Sequence, residues 1–281
     1  MILPTFIIPG AHKSGTSFVA EALSRHTEIY FPISKEPGFF QKESIDLALY
    51  QKHFLGYEGQ KHIGDATTSY MFDEDSAEMI KRFIPNVKLL FILRNPIDRV
   101  YSNYWQNIKE GKGPGLSFQE MLASNHTSLE KMIYVSRYDI HLKRFMQFFS
   151  ENQILILLFN DLTNNPLKTL NRVLCFLGLD QFSHDEDLCY QVNPSAVPRF
   201  GRLQYLIANK VLYRAVKKKT PDKFLPAVKR LQQQMQCLML RRREYPQMDN
   251  KSRNILNQRL SFSIEELSRL VGKDLSFWSC G

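Results

Sequence analysis

Cysteine is scarce in this chain: four in 281 residues, Cys175, Cys189, Cys237 and Cys280, with no C-x-x-C pair among them. That excludes a disulfide framework and a zinc site built from paired ligands. Long apolar runs are missing too. No stretch approaches the roughly 20 residues that span a bilayer, and Met1–Pro9 is short and lacks the basic start of a secretory signal. The expectation is a reduced, cytoplasmic protein, in which the sequons at Asn125 and Asn250 are chance matches. Thirteen Gly and thirteen Pro are scattered without a period, and no internal repeat is visible, so collagen-like and low-complexity classes fall away. Four of the seven histidines, His12, His26, His53 and His62, lie in the first quarter but not at metal-ligand spacing, and no metal is expected. What remains is 43% hydrophobic and 23% charged, an ordinary globular composition. The length suits one large α/β domain over residues 1–281.

Acidic residues are outnumbered, 28 against 37 Lys and Arg, for a net charge of +9. The excess is local. Residues 210–243 hold eleven basic side chains and one acid, Asp222, so the rest of the chain carries a net charge of −1. A neutral body with one basic segment argues against a protein that coats nucleic acid. Within that segment Phe224, Val228, Leu231, Met235 and Leu238 step by four and three, which predicts an amphipathic helix. Its basic face is either a solvated surface, a lid over an anionic site, or a contact with a membrane surface.

Apolar runs alternate with helical patterns along the chain. Thr5–Ile8 reads as a strand, followed by the turn Pro9–Ser17 and a helix over Phe18–Ser24. Val87–Leu93, six apolar residues in seven, reads as a buried strand running into Arg94-Asn95-Pro96 and a helix through Trp105. Gln153–Phe159 reads as a third strand, Asn160–Pro166 as a turn, and Leu167–Leu177 as a helix stopped by Gly178. Near-continuously apolar strands joined by helices imply crossovers and a central parallel sheet, with ligands at the strand C-terminal ends. The expected fold is α/β, three-layered, with P-loop-like nucleotide-binding architecture.

Two strand–helix junctions carry the chemistry. Gly10-x-x-x-x-Gly15 between strand and helix is the geometry of a phosphate cradle, in which tight glycine turns aim backbone N–H groups inward. Lys13 lies inside the loop rather than after the second glycine, so the pattern for a nucleoside triphosphate with Mg²⁺ is not matched. A plain strand–helix turn is the alternative. At the second junction Arg94 ends a strand and Ser102 follows two helical turns on, a pair able to fork to and donate to an anion. Arg94 alone could equally form an ion pair with Asp98 or Asp65.

Together, Pro9-Gly-Ala-His-Lys-Ser-Gly-Thr-Ser17 and Leu89-Leu-Phe-Ile-Leu-Arg-Asn-Pro-Ile-Asp-Arg-Val-Tyr-Ser102 resemble the paired signature of sulfotransferases that use 3′-phosphoadenylyl sulfate (PAPS). The resemblance continues through Ile154–Leu162, Phe176–Leu179 and Leu267–Trp278, with the basic segment its least familiar part. It implies a PAPS-dependent transferase, of the carbohydrate, heparan-sulfate or bacterial small-molecule type, with the product PAP and no required metal. In such enzymes the first loop, here Lys13, Ser14, Gly15, Thr16 and Ser17, holds the 5′-phosphosulfate, while Arg94 and Ser102 bind the 3′-phosphate. Lys13 would neutralise charge on the leaving phosphate. Asn193–Arg202 is similar to the late loop that closes over the nucleotide, in which Arg199, Phe200 and Gly201 would contact the donor.

The acceptor must lose a proton. Ser34-Lys-Glu-Pro-Gly-Phe-Phe40 is similar to the segment of glycan-modifying members in which a Glu before an aromatic pair is the base, which makes Glu36 the leading candidate. A surface Glu paired with Lys35 is its bland alternative. His12 is the rival base, with His62 and Asp65 behind it. Where heparan-type members carry Lys-Thr-Pro, this chain has Gly64-Asp-Ala-Thr-Thr-Ser-Tyr70. The missing Lys argues against a heavily anionic polysaccharide, and Asp65 could instead meet a cationic or hydroxyl-rich acceptor. The expected reaction is sulfuryl transfer from PAPS to a hydroxyl, or secondarily an amine, of a carbohydrate or small natural product. The competing readings are a Mg-dependent P-loop kinase and a non-catalytic protein that binds a nucleotide or a membrane surface.

Overall fold

The computed structural model describes residues 2–41, 46–183, 196–198, 240–242 and 245–279. These pack as two compact units. The first comprises residues 1–99, 137–192 and 260–281, and the second residues 100–136 and 193–259.

The first unit is built on a five-stranded, wholly parallel sheet. In chain order its strands are β1 (Phe6–Gly10), β2 (Ile29–Tyr30), β3 (His62–Asp65), β4 (Lys88–Leu93) and β5 (Ile154–Leu158), arranged β2-β3-β1-β4-β5. The strands β4 and β5 pair in register from Leu89↔Ile154 to Leu93↔Leu158. The chain starts in the middle strand, runs to the edge strand β2, returns to place β3 beside β1, then crosses to the other side for β4 and β5. The C-terminal ends of β1 and β4 therefore flank a topological switch point, where ligands of open α/β sheets bind.

Alternate residues of these strands face two helical layers. Phe6, Ile8, Leu90, Ile92 and Leu157 join Val19 and Leu23 of α1 (Thr16–Leu23) and Leu170, Val173 and Leu174 of α9 (Pro166–Leu177) in one buried cluster. On the opposite face the Phe91 ring packs edge-on to Phe145 of α7 (Tyr138–Phe148), with centroids 5.1 Å apart. Helix α3 (Ser76–Phe83) packs on α7. That is the expected three-layer arrangement. Between β2 and β3 runs the short helix α2 (Leu47–Gln51), whose Asp46 caps the amides of Ala48 and Leu49.

Two elements differ from the sequence reading. The stretch from Asn160 read as a turn is mostly helix α8 (Phe159–Asn164), because Leu162 is buried in the core and its burial overrides the weak helix propensity of Asn, Asp and Thr. Residues 240–242, in the basic segment whose apolar stripe predicts a helix, form strand β7 (Leu240–Arg242), antiparallel to β6 (Ala196–Pro198) in the second unit. The apolar stripe at 224–238 lies outside the described residues.

Helices α4 (Pro96–Lys109) and α10 (Asn250–Val271) each contribute residues to both units. In the second unit α5 (Phe118–Ala123) opens with a reciprocal capping box between Ser117 and Glu120, and Tyr101 and Tyr104 pack with both Phe118 and Trp105. Arg259 pairs there with Glu130 of α6 (Thr127–Val135).

Candidate active site

The loop after β1 is held at both ends. Ala11 N–H still donates to Ile92 C=O of β4 at 2.8 Å, and Ser14 N–H turns back to Ala11 C=O at 3.2 Å. Lys13 and Gly15 take left-handed conformations, with φ of 70° and 86°, which curls the amides into a concavity suited to an anion. A Cβ on Gly15 would lie 3.0 Å from Leu162 and 3.2 Å from the Phe159 ring, so this position has neither backbone nor steric room for another residue. Gly15 caps α1 without a side-chain hydrogen bond, and the first turn of α1 carries no acid. The helix N–H groups are thus left to a ligand.

The second junction abuts the first. The Arg94 guanidinium donates to Lys13 C=O at 3.3 Å and lies over the Phe159 ring, 4.9 Å from its centroid. Asn95 explains the residue between Arg94 and Pro96: its Oδ1 accepts the Ile97 amide at 3.0 Å, capping α4, and its Nδ2 donates to Trp278 C=O at 2.8 Å. Ser102 is buried two turns into α4. Arg94 therefore meets the donor loop through the backbone and an aromatic face, while the carboxylate of Asp65 is occupied by Tyr50, Thr67 and Tyr70.

Beside the loop lie the buried hydroxyls of Ser14 and Tyr138, next to one another and close to the cationic Arg94 and Arg99. Burial raises the Tyr138 pKa, and the fully buried Arg99 guanidinium is lowered to about 10, again chiefly by burial. Buried hydroxyls beside cationic side chains, together with the open α1 terminus, fit a charged phosphoryl or sulfuryl group. His12 and Lys13 are half-buried in the loop and hold further contacts there.

Glu36 is exposed, and its pairing is informative. Lys35 Nζ lies 2.6 Å from Ser17 Oγ, at the start of α1, and 3.1 Å from Glu36 Oε1. The ion pair with Lys35 exists, as the bland alternative supposed, but it is also a bridge that carries Glu36 to the donor loop. Lys35 was legible in the sequence only as the neighbour of Glu36; nothing in the spacing pointed to Ser17.

The secondary base candidates are placed elsewhere in function. His62 begins β3, at the opposite end of that strand from Asp65, with Nδ1 2.9 Å from Thr5 Oγ1 and Nε2 2.9 Å from Leu177 C=O. Its pKa is lowered by burial, and both ring nitrogens are engaged in structural bonds. Asp65 does not face an acceptor: it is wholly buried, and Tyr50, Thr67 and Tyr70 surround it. That corrects the expectation that it meets a cationic or hydroxyl-rich substrate. Tyr50 and Tyr70 carried no sequence signal, since a tyrosine is not distinguishable from core aromatics by spacing. Arg199, Phe200 and Gly201 lie outside the described residues. Among the described residues no three His, Cys, Asp or Glu side chains gather as metal ligands, and no helix is long and apolar enough to cross a membrane.

Comparison with known proteins gives the arrangement a family. A family model described as a sulfotransferase domain matches residues 3–204. The chain is 34% identical over 142 residues to the membrane-associated sulfotransferase kil1 of Dictyostelium discoideum, covering 47% of this chain and 30% of that protein. It is 27% identical over 189 residues to heparan sulfate glucosamine 3-O-sulfotransferase 6 of Homo sapiens, covering 65% and 54% respectively. The match to the human bifunctional heparan sulfate N-deacetylase/N-sulfotransferase 2 is 26% over 198 residues and spans 22% of that protein. The chain thus spans about half or less of the length of these curated relatives. A crystal structure of a sulfotransferase from Alicyclobacillus acidocaldarius superposes with a TM-score of 0.70 at 24% identity over 99% of both chains. The shared fold is the P-loop-like nucleotide-binding one.

Proposed function

Since the chain belongs to the sulfotransferase domain family, we propose that it transfers a sulfuryl group from PAPS to a hydroxyl of a carbohydrate or small natural product. The observation that carries the reading is the junction of β1 and β4. There a glycine loop with an open helix terminus, Lys13 and Arg94 converge, with Arg94 bonded to Lys13 C=O. In the reaction the acceptor oxygen attacks sulfur, the bond from sulfur to the bridging phosphate oxygen breaks, and the hydroxyl proton leaves to a base. Positioning and charge neutralisation supply most of the acceleration in such in-line transfers.

In this reading the amides of Gly15, Thr16 and Ser17 and the Ser14 hydroxyl hold the 5′-phosphosulfate. Lys13 neutralises the departing phosphate oxygen. Arg94 and Ser102 take the 3′-phosphate, and Arg199, Phe200 and Gly201 complete the nucleotide site. Glu36 takes the acceptor proton, supported by the Lys35 bridge that ties it to Ser17. His12 is the second candidate for that proton. A hydroxyl acceptor draws support from the similarity to a glucosamine 3-O-sulfotransferase. The stretch Gly64–Tyr70 lacks the Lys of the heparan-type element that it resembles, which favours an acceptor less anionic than heparan sulfate.

Titration calorimetry tests the donor assignment. PAP is expected to bind without Mg²⁺ and more tightly than ADP, and PAPS is expected to release PAP faster with one class of a panel of glycans, phenols and amines. Mg²⁺-dependent ATP binding with no response to PAP would make the protein a kinase, and binding to liposomes alone would make it a membrane-surface protein.

A further inference from the structure

Asp65 closes β3 at the sheet edge where the donor loop emerges from the neighbouring β1. Its carboxylate is fully buried and accepts four hydrogen bonds. Oδ1 takes the Thr67 amide at 2.9 Å and the Thr67 hydroxyl at 2.6 Å, while Oδ2 takes the hydroxyls of Tyr50 at 2.7 Å and Tyr70 at 3.1 Å. Burial raises its pKa, and these donors pull it back. A buried carboxylate is an expensive way to fill a core, and an apolar side chain of similar volume often serves stability as well. Its retention here asks for another use.

The use lies in the direction of the hydroxyl protons. A hydroxyl has one proton to donate, and an ionised carboxylate can only accept. With their protons committed to Asp65, Thr67 and Tyr70 present only lone pairs on their other side. Those lone pairs accept backbone amides of the Glu36 segment: Gly38 N–H to Thr67 Oγ1 at 3.1 Å, and Phe39 N–H to Tyr70 Oη at 2.8 Å. A third tie runs from Ala66 N–H to Lys35 C=O at 2.8 Å. Glu36 is thus bracketed by anchors at Lys35, Gly38 and Phe39, all on the chain from Asp65 to Tyr70. We propose that Asp65 is a positioning residue for the proton-accepting Glu36, acting through the Thr67 and Tyr70 hydroxyls that it orients to hold the Lys35–Phe39 backbone. The proposal rests on the assignment of Glu36 as base.

The test compares D65N, T67V and T67S with E36Q and the double variant D65N/E36Q. Asparagine keeps the shape of Asp65 but puts N–H donors where an acceptor stood, so one hydroxyl must reverse and a loop amide loses its partner. The readout is PAP release from PAPS, with the most active acceptor of the panel and with water as the reference acceptor, beside PAP affinity by calorimetry. D65N and T67V are expected to lower kcat by about 10- to 100-fold, the scale of a small misplacement of a catalytic group, and to leave PAP affinity within about twofold. T67S keeps the hydroxyl and should restore turnover. In the E36Q background D65N should add no further loss, since residues acting as one unit are not additive. Should D65N fail to fold by circular dichroism, T67V and T67V/E36Q carry the same test. Wild-type turnover in D65N or T67V, equal losses with and without Glu36, or a loss of PAP affinity matching the loss of kcat would overturn the positioning role alone. A fully active E36Q would overturn the base assignment, and the positioning role with it.

Discussion

Lys13 combines a rare backbone conformation with a charge at the place where the proposed leaving group forms. Its φ of 70° is set by the turn rather than by the side chain. Replacing it by Ala is therefore expected to leave the fold intact and to reduce sulfation by at least about 100-fold, in line with the loss of one stabilising group from a transition state. A PAP-release assay on K13A beside its melting curve checks this, and a variant as active as wild type would remove Lys13 from the mechanism. His62 illustrates a titratable group used for structure. With Nδ1 against the Thr5 hydroxyl and Nε2 against Leu177 C=O, the neutral ring with a proton on Nε2 fits its surroundings. Burial lowers its pKa from 6.5, so between that value and the lower folded value the unfolded chain binds more protons. Its contribution to stability is present above pH 6.5 and is lost as pH falls through the folded pKa. Melting temperature measured from about pH 8 down to about pH 5 should fall more steeply for wild type than for H62Q; parallel curves would show that His62 does not titrate in this way.

At the scale of elements the site is a meeting of two strand–helix junctions, and its tightest part is the entry to α1. Gly15 has φ of 86°, and a methyl there would press on Leu162 and Phe159 of α8. G15A is expected to cost about 1–2 kcal/mol from the left-handed conformation alone, hence a drop of about 2–4 °C in melting temperature for each kcal/mol. PAP affinity should fall more sharply than stability, because the loop amides turn away from the anion. Equal affinity in wild type and G15A would mean that the loop does not cradle it. The elements that form this centre were legible: β1, β4 and β5 are long apolar runs, Pro96 marks the start of α4, and Gly178 ends α9 in a left-handed cap with φ of 75°. Strands β2 and β3 were not, since two and four residues are too few to show a period, and they exist because they pair with β1 and with one another. Helix α8 was misread for the opposite reason: turn-forming residues surround the buried Leu162, and packing decided. The donor half of the site lies in local sequence motifs. The half around Asp65 and Lys35 depends on contacts over 15 to 31 residues, from Tyr50 to Asp65 and from Phe39 to Tyr70, which a motif does not encode.

For the whole molecule the question is what a net charge of +9 does when the body that holds the motifs is close to neutral. The proposed donor is strongly anionic, and the donor junction presents few cations, Lys13 and Arg94 foremost. Short-range groups of this kind hold a ligand already in place, whereas capture from solution depends on charge summed over a wider surface. The excess sits in residues 210–243, downstream in sequence of Arg199, Phe200 and Gly201, which are proposed to complete the nucleotide site. If that segment guides or covers the donor, its effect must be electrostatic and screened by salt, with a Debye length of about 10 Å at 0.1 M and about 3 Å at 1 M. Replacing Lys217, Lys218, Lys219, Arg241, Arg242 and Arg243 by Gln removes six of the eleven cations. The variant is expected to bind PAP several-fold more weakly at low salt, with a much shallower salt dependence of the association rate, and the two proteins should converge at about 1 M salt, where screening reaches only about 3 Å. Stopped-flow association and calorimetry across a salt series measure both quantities. An acceptor-specific role predicts a different split: unchanged PAP binding and a raised acceptor KM. If affinity, salt slope and acceptor KM all match wild type, the segment is a solvated basic face, and donor binding does not draw on it.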